Sequence, residues 1–369
     1  MLGRSLDGGL ETSILLEAAR RNRLAPLLWR SLVLAGRQDQ FGDVGRELGD
    51  LAAVANIRAL VVVPAALAHA LEPLTASGLE PVVLKGPAVA THYPDAGLRP
   101  MDDIDLLLPA AQHRTALRSL TDSGWEVRRP ASRQRYDTVL THPAVPGLPL
   151  ELHYGLDASY ERYSRLDSHG LWLRREPARL GDRAAYVLPP EEELVMLCQH
   201  AAKPFHMFSR LIWVVDIAML LDPESPTRPV DWERVDELAT TAKCRTALAV
   251  GLTLAERVGA ESPGSLRALP RSKWRRVQVE PLLEPSWPLQ PRSAAAFGPR
   301  FAVTDSPWLR ARLVLGATHG ETPGRKVRWL LSAPARAVAR WFGAQRSTAT
   351  GRTQPTGSGT SPRTSRRRA

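Results

Sequence analysis

The sequence predicts an α+β fold. A small mixed sheet carries acidic residues, helices flank it on the N-terminal side, and a helical C-terminal region and a disordered basic tail follow. Three observations predict this. Pro81–Leu108 reads as strand, glycine turn, helix, loop and strand. Trp125–Arg128, Tyr136–His142 and Leu150–Tyr154 read as further strands, from their alternation or short apolar runs. On either side, residues 11–77 and 189–258 place apolar residues at helical spacing.

In order, residues 11–36 form two short helices broken near Pro26, and residues 43–77 form a long helix or a pair with a kink at Pro64. Pro81–Leu84 is an apolar strand that Lys85-Gly86-Pro87 ends. Ala88–Tyr93 has room for about two helical turns, and Ile104–Leu108 is the next strand. Ala110–Ser123 is a helix stopped by Gly124. Residues 157–183 are polar and mixed, without an assigned element. Pro189–Lys203 opens a helix with acids in its first turn, as helix N-termini prefer, and Phe208–Leu221, Asp231–Ala242 and Arg245–Val258 continue the helical region. The expected divisions are 1–78 (helical), 79–188 (sheet core), 189–260 (helical), 261–345 (partly helical and basic) and 346–369 (low-complexity, disordered).

With 369 residues the chain can bury a sizeable core. Its net charge is +11, but eleven of its 49 Lys and Arg residues lie beyond Glu321, where no acid occurs; the rest balances at 38 basic against 38 acidic. The basicity therefore belongs to the C-terminal segment and does not argue for a nucleic-acid-binding core. Two cysteines, Cys198 and Cys244, sit in apolar helical patterns and point to buried thiols in a reducing compartment. No signal-like start and no apolar run of about 18 residues is evident, so a cytoplasmic protein without a membrane span is expected.

Asp103 and Asp105 stand at i and i+2 on a strand and so share one face, with Ile104 turned into the core. Two carboxylates so close repel, and a hard divalent cation bound through oxygen relieves the repulsion. Upstream stand Leu84-Lys85-Gly86 and Arg99. This order of Leu-Lys-Gly turn, arginine and Asp-hydrophobic-Asp strand resembles the uncharacterised bacterial nucleotidyltransferase family, within the polymerase-β-like superfamily. Cys198-Gln199-His200 and Trp213-Val214-Val215-Asp216 match further motifs, and the resemblance spans roughly residues 11–260.

The resemblance implies a nucleotidyltransferase palm sheet and transfer of a nucleoside monophosphate from ATP or another NTP to an acceptor, with release of pyrophosphate. It implies Mg²⁺, two ions during turnover, on Asp103, Asp105 and Glu151; Glu151 is the third acid or the general base. Lys85, Gly86 and Arg99 are the implied nucleotide-binding residues. His153 and Asp216 are second-layer candidates, His153 equally a surface or core histidine and Asp216 a partner for Lys203 or Arg210. The acceptor stays open among a small molecule, a peptide or protein, and RNA. Pro87 departs from the pattern, because it has neither the N–H nor the hydroxyl that usually follows this glycine. A non-catalytic nucleotide- or partner-binding protein on a degenerate fold is thus one alternative. A peripheral membrane or nucleic-acid adaptor, touching an anionic surface through residues 325–369, is another.

Overall fold

A computed structural model describes residues 12–132, 136–156, 165–203, 206–226, 228–284, 299, 302–308 and 310. All of these fall within Met1–Leu313, the first of two units; the expected basic helix and tail beyond residue 310 lie outside the described residues.

Helices α1 (Thr12–Asn22) and α2 (Ala25–Leu34) are separated at Arg23, which takes a left-handed φ of 60°, and Pro26 sits in the first turn of α2 rather than breaking a helix. They pack on α3 (Gly42–Ile57) through Leu16, Ala19, Leu32 and Leu48. From α3 the chain runs through a π-helical turn, Arg58–Val62, into α4 (Val63–Ala76). The π turn ends two residues before Pro64, where the sequence predicts a kink. A proline ring clashes with the carbonyl four residues back and lacks an N–H, and the widened turn absorbs both. This joins Gln38–Ala76 into one 39-residue helix, by length and composition long and apolar enough to cross a membrane, contrary to the expectation from uninterrupted apolar runs. Asn56 and Arg58 interrupt such a run in sequence, but the helix continues through them. Its inner face, including Val63, Ala66, Leu67, Ala70 and Leu74, packs on the sheet.

The sheet has seven strands: β1 (Val82–Leu84), β2 (Ile104–Leu107), β3 (Glu126–Arg129), β4 (Asp137–Thr141), β5 (Leu150–His153), β6 (Glu176–Leu180) and β7 (Arg183–Val187), in the order β3-β4-β5-β2-β1-β7-β6. It is mixed: β2 runs parallel to β5 and β1 to β7, and the remaining pairs are antiparallel. The β6–β7 hairpin falls where the sequence assigned nothing. Strand alternation places Val83, Ile104, Leu106, Leu150 and Leu152 on one face, against α4 and α6 (His113–Asp122). Val82, Leu84 and Leu107 turn to the other face, against α8 (Pro190–Ala201), α9 (Leu211–Leu220) and α11 (Arg245–Glu256). The short helix α5 (Gly86–Ala90) starts directly on the glycine, two residues earlier than expected, and α7 (Ser168–Leu173) and α10 (Trp232–Thr241) complete the layer. Beyond α11, α12 (Lys273–Val279) is held to the body by Arg275, whose guanidinium bonds the Ala302 carbonyl and the Thr246 hydroxyl.

Cys198 and Cys244 are both buried free thiols, as the sequence predicts. The three glutamates opening α8 are also buried, each with a hydrogen-bond partner: Glu191 with Arg228, Glu192 with Arg174, Glu193 with His92. Their carboxylates face partners on neighbouring segments, so they tie α8 to its surroundings as well as serving its N-terminus.

Candidate active site

Registry brings the acids together. On the parallel pair, Asp105 lies opposite Glu151 and Leu107 opposite His153, so Asp105, Glu151 and His153 project from one face at neighbouring positions. One ligand atom from each lies within 4.8 Å of the others, the one such group of metal-ligating side chains among the described residues. Asp103, just before β2, is not in that group, although the charges of Asp105, Lys85 and Glu151 act on it.

Two cations stand among these acids. Lys85 Nζ donates to Asp105 Oδ1 at 2.9 Å, and His153 Nε2 reaches the same oxygen at 2.9 Å and Glu151 Oε2 at 3.4 Å. Asp105 is 1% exposed. Burial alone would raise its pKa, but the Lys85 ammonium and His153 hold it well below the usual carboxylate range. Burial and then the Asp105 charge push Asp103 up to about 6. Burial works against a charged His153, yet its bonds to Asp105 and Glu151 raise it to about 9, so it is an imidazolium at neutral pH. Its Nδ1 is buried without a hydrogen-bond partner among the described residues. The site thus holds its own counter-charge, and His153 is wedged between two acids rather than lying on the surface.

The turn that delivers Lys85 is unusual. Lys85 itself has φ 47° and ψ −135°, a region that glycine favours, whereas Gly86 is the first residue of α5. The positive φ falls on the lysine and not on the glycine beside it. A Cβ on Gly86 would sit 3.4 Å from the Asp103 carbonyl oxygen, an ordinary contact, where the turn meets the acid loop. Pro87 is buried in the first turn of α5.

Arg99 and Asp216 meet each other. Arg99 Nε and Nη2 donate to the two Asp216 oxygens at 2.8 Å each, and the Tyr93 hydroxyl donates to Oδ1 at 2.7 Å. Asp216 is wholly buried and Arg99 is 9% exposed. The sequence offered Lys203 or Arg210 as a partner for Asp216, and the bidentate partner in the structure is Arg99. The bidentate fork expected for phosphate is engaged by a carboxylate. This pair fastens the loop leading to the acids onto α9.

Two arginines went unnoticed in the sequence. Arg58, in the π turn, donates to the carbonyls of Met101 at 3.2 Å and Gly147 at 2.9 Å, and so holds the segments that feed β2 and β5. Arg129 pairs with Asp137 and stands 4.0 Å from Glu151. No local motif marks either residue. Nearby, His206 stacks on Trp213 at 4.3 Å, with His200 4.5 Å from His206. Burial and neighbouring cations, Lys85 among them, lower both imidazoles, His206 to about 3.

The model of a family described as uncharacterised nucleotidyltransferase matches residues 9–259, about two thirds of the chain. The chain belongs to this nucleotidyltransferase family. No curated protein matches it significantly. Two solved structures are similar at low identity. One is the solution structure of the antibiotic-resistance factor ANT(2'')-Ia, 12% identical, covering 47% of this chain and 87% of that one, with a TM-score of 0.33. The other is an antigenic nucleotidyltransferase-like protein from Paracoccidioides brasiliensis, 15% identical, covering 52% and 92%, with a TM-score of 0.31.

Proposed function

We propose that this nucleotidyltransferase is a Mg²⁺-dependent enzyme that moves a nucleoside monophosphate from an NTP, ATP among the candidates, to an acceptor hydroxyl. The observation that carries the reading is the convergence of Asp105, Glu151 and His153 beside Asp103 and Lys85 on one face of the sheet. Family membership supports the reaction class.

The donor set fits a divalent cation. Asp103, Asp105 and Glu151 offer the oxygens a hard ion prefers, and the excess negative charge that Lys85 and His153 now balance is the charge such an ion would balance. When bound, one or two Mg²⁺ ions supply positive charge to the triphosphate and lower the pKa of the acceptor hydroxyl. The chain's own residues do the rest. Asp103, Asp105 and Glu151 hold the ions. As the acceptor oxygen bonds to the α-phosphorus and the bond to the pyrophosphate oxygen breaks, the acceptor proton leaves to solvent, or to Glu151 where that carboxylate serves as general base in place of a metal ligand. Lys85, on its constrained backbone, exchanges Asp105 for the triphosphate. Arg99, fixed by Asp216, keeps the acid loop in place, and its positive charge also acts on Asp103. Calorimetric titration of Mg²⁺ into wild type and Glu151→Gln tests the donor set. The expected result is binding to wild type that weakens about tenfold or more in the variant, about 1.4 kcal/mol. Equal binding to both proteins would remove Glu151 from the site.

A further inference from the structure

The side chains that converge on the parallel pair do not offer the same donor atoms. Asp105 and Glu151 offer oxygen, and His153 offers a ring nitrogen. Nε2 lies 2.9 Å from Asp105 Oδ1 and 3.4 Å from Glu151 Oε2, and one ligand atom from each residue lies within 4.8 Å of the others. Around an octahedral ion with bonds of about 2.1 Å, neighbouring ligand atoms stand about 3 Å apart and opposite ones about 4.2 Å. The atoms are therefore spaced as corners of one coordination shell. The ring's polar contacts do not compete with that use. They run to the two carboxylates that would share the ion, and Nδ1 makes none among the described residues. Lys85 also holds Asp105 Oδ1, which leaves Oδ2 without a partner among the described residues. His153 is 7% exposed and stands on β5, whose register with β2 fixes the arrangement, so the nitrogen is built into the site.

Asp103 is outside that group and adds oxygen only. The site thus has an oxygen-only part, at Asp103 and Asp105, and a mixed part, at Asp105, Glu151 and His153. Mg²⁺ is a hard ion that takes oxygen ligands, whereas imidazole suits the first-row transition dications, and Mn²⁺ accepts carboxylates as well. We infer that His153 is a metal ligand, and that the position it shares with Asp105 and Glu151 takes a first-row transition dication of the Mn²⁺ class in preference to Mg²⁺. When the ion binds, Nε2 gives its proton to solvent and its lone pair to the ion, so the dication takes the place of the proton shared with the acids. Glu151 is then a ligand rather than a base. The inference rests on the metal-binding part of the proposed function and changes the ion at one position only.

The test uses the equal charge of Mn²⁺ and Mg²⁺. A histidine acting only as a counter-charge shifts both affinities by the same factor, whereas a nitrogen ligand favours Mn²⁺. Each ion is titrated calorimetrically, without nucleotide, into the full chain and into His153→Gln. The expected result is a preference for Mn²⁺ over Mg²⁺ that falls about tenfold in the variant. Electron spin echo spectroscopy of Mn²⁺ bound to wild type is a second readout that does not depend on the variant folding. It should show the nitrogen modulation of a directly bound imidazole, altered by heavy-nitrogen labelling of histidine. A preference unchanged in the variant, with both ions shifted by one factor, would overturn the inference and leave His153 a counter-charge. Bound Mn²⁺ without nitrogen modulation, or no Mn²⁺ binding by wild type, would overturn it too. The transferase reading fails separately: if no NTP binds wild type with either ion while the nitrogen modulation is present, that reading falls and the mixed-ligand position stands.

Discussion

Replacing Asp216 with asparagine keeps the shape of the side chain and removes its charge from the interior. Asp216 accepts three hydrogen bonds at 2.7–2.8 Å, two from Arg99 and one from Tyr93, with no exposure to water. Burial disfavours a charged Arg99, and the Asp216 carboxylate outweighs that cost, so the Arg99 pKa lies above its ordinary value. With asparagine, the guanidinium remains buried without its counter-charge, and the amide NH₂ confronts one of its N–H groups. Breaking one half of a buried ion pair costs about 3–5 kcal/mol, and equilibrium urea unfolding of Asp216→Asn should show a loss in that range. The partner substitution Arg99→Met should be costly too, because it leaves the carboxylate buried. The double variant should then lose less than the two singles together, by about 2 kcal/mol, since neither charge is stranded. Additivity to within about 0.5 kcal/mol would refute the reasoning, and so would a single-variant loss below about 1 kcal/mol.

Three other outcomes follow from the same contacts. Lys85→Met removes the ammonium that competes for Asp105, so Mg²⁺ without nucleotide should bind about tenfold tighter while NTP affinity falls; calorimetry showing weaker metal binding would contradict the counter-ion role. His153 is raised from 6.5 to about 9 on folding, so its stabilisation is complete below pH 6.5 and is lost as pH rises through about 9. In chelator, the melting-temperature advantage of wild type over His153→Gln should accordingly be largest near pH 6 and gone by pH 10, and a pH-independent difference would count against it. Gly251→Ala on α11 would place a Cβ 2.6 Å from Cys198 Sγ and 3.2 Å from Ile217 Cδ1, an overpacking that should cost about 1–3 kcal/mol in thermal or urea unfolding.

The parts of the fold legible in the sequence were those written in local pattern. Val82–Leu84 and Ile104–Leu107 are short apolar runs bounded by a glycine turn and by aspartates, and Leu150–His153 alternates acid and histidine against leucines, so β1, β2 and β5 could be placed. The β6–β7 hairpin was missed because its residues are mostly polar or small, with Leu180 and Ala185 the two it buries. Its one signal was the Gly181-Asp182 turn, where Gly181 takes φ 65°. In the site, i and i+2 spacing put Asp105 and Glu151 each on a strand face, but only the parallel register decides that the faces coincide. The partnership of Arg99 with Asp216 spans 117 residues and leaves no local trace. The triplet Glu191-Glu192-Glu193 read as the acidic first turn of a helix, and its burial depends on partners supplied from distant segments. The strained lysine was hidden by the glycine beside it, the residue on which positive φ is ordinarily placed.

The central claim is that the carboxylates on β2 and β5 form a metal-dependent nucleotide site. Calorimetric titration of the four NTPs, with and without Mg²⁺, into wild type and into the double variant Asp103→Asn, Asp105→Asn tests it most directly. The account predicts that at least one NTP binds wild type only with Mg²⁺ and that the binding vanishes in the variant. Metal-independent binding, or binding that survives in the variant, would contradict it. Absence of binding to all four NTPs would also contradict it and point to a fold kept without turnover, with Pro87 after the Lys85–Gly86 turn as the first residue to revert.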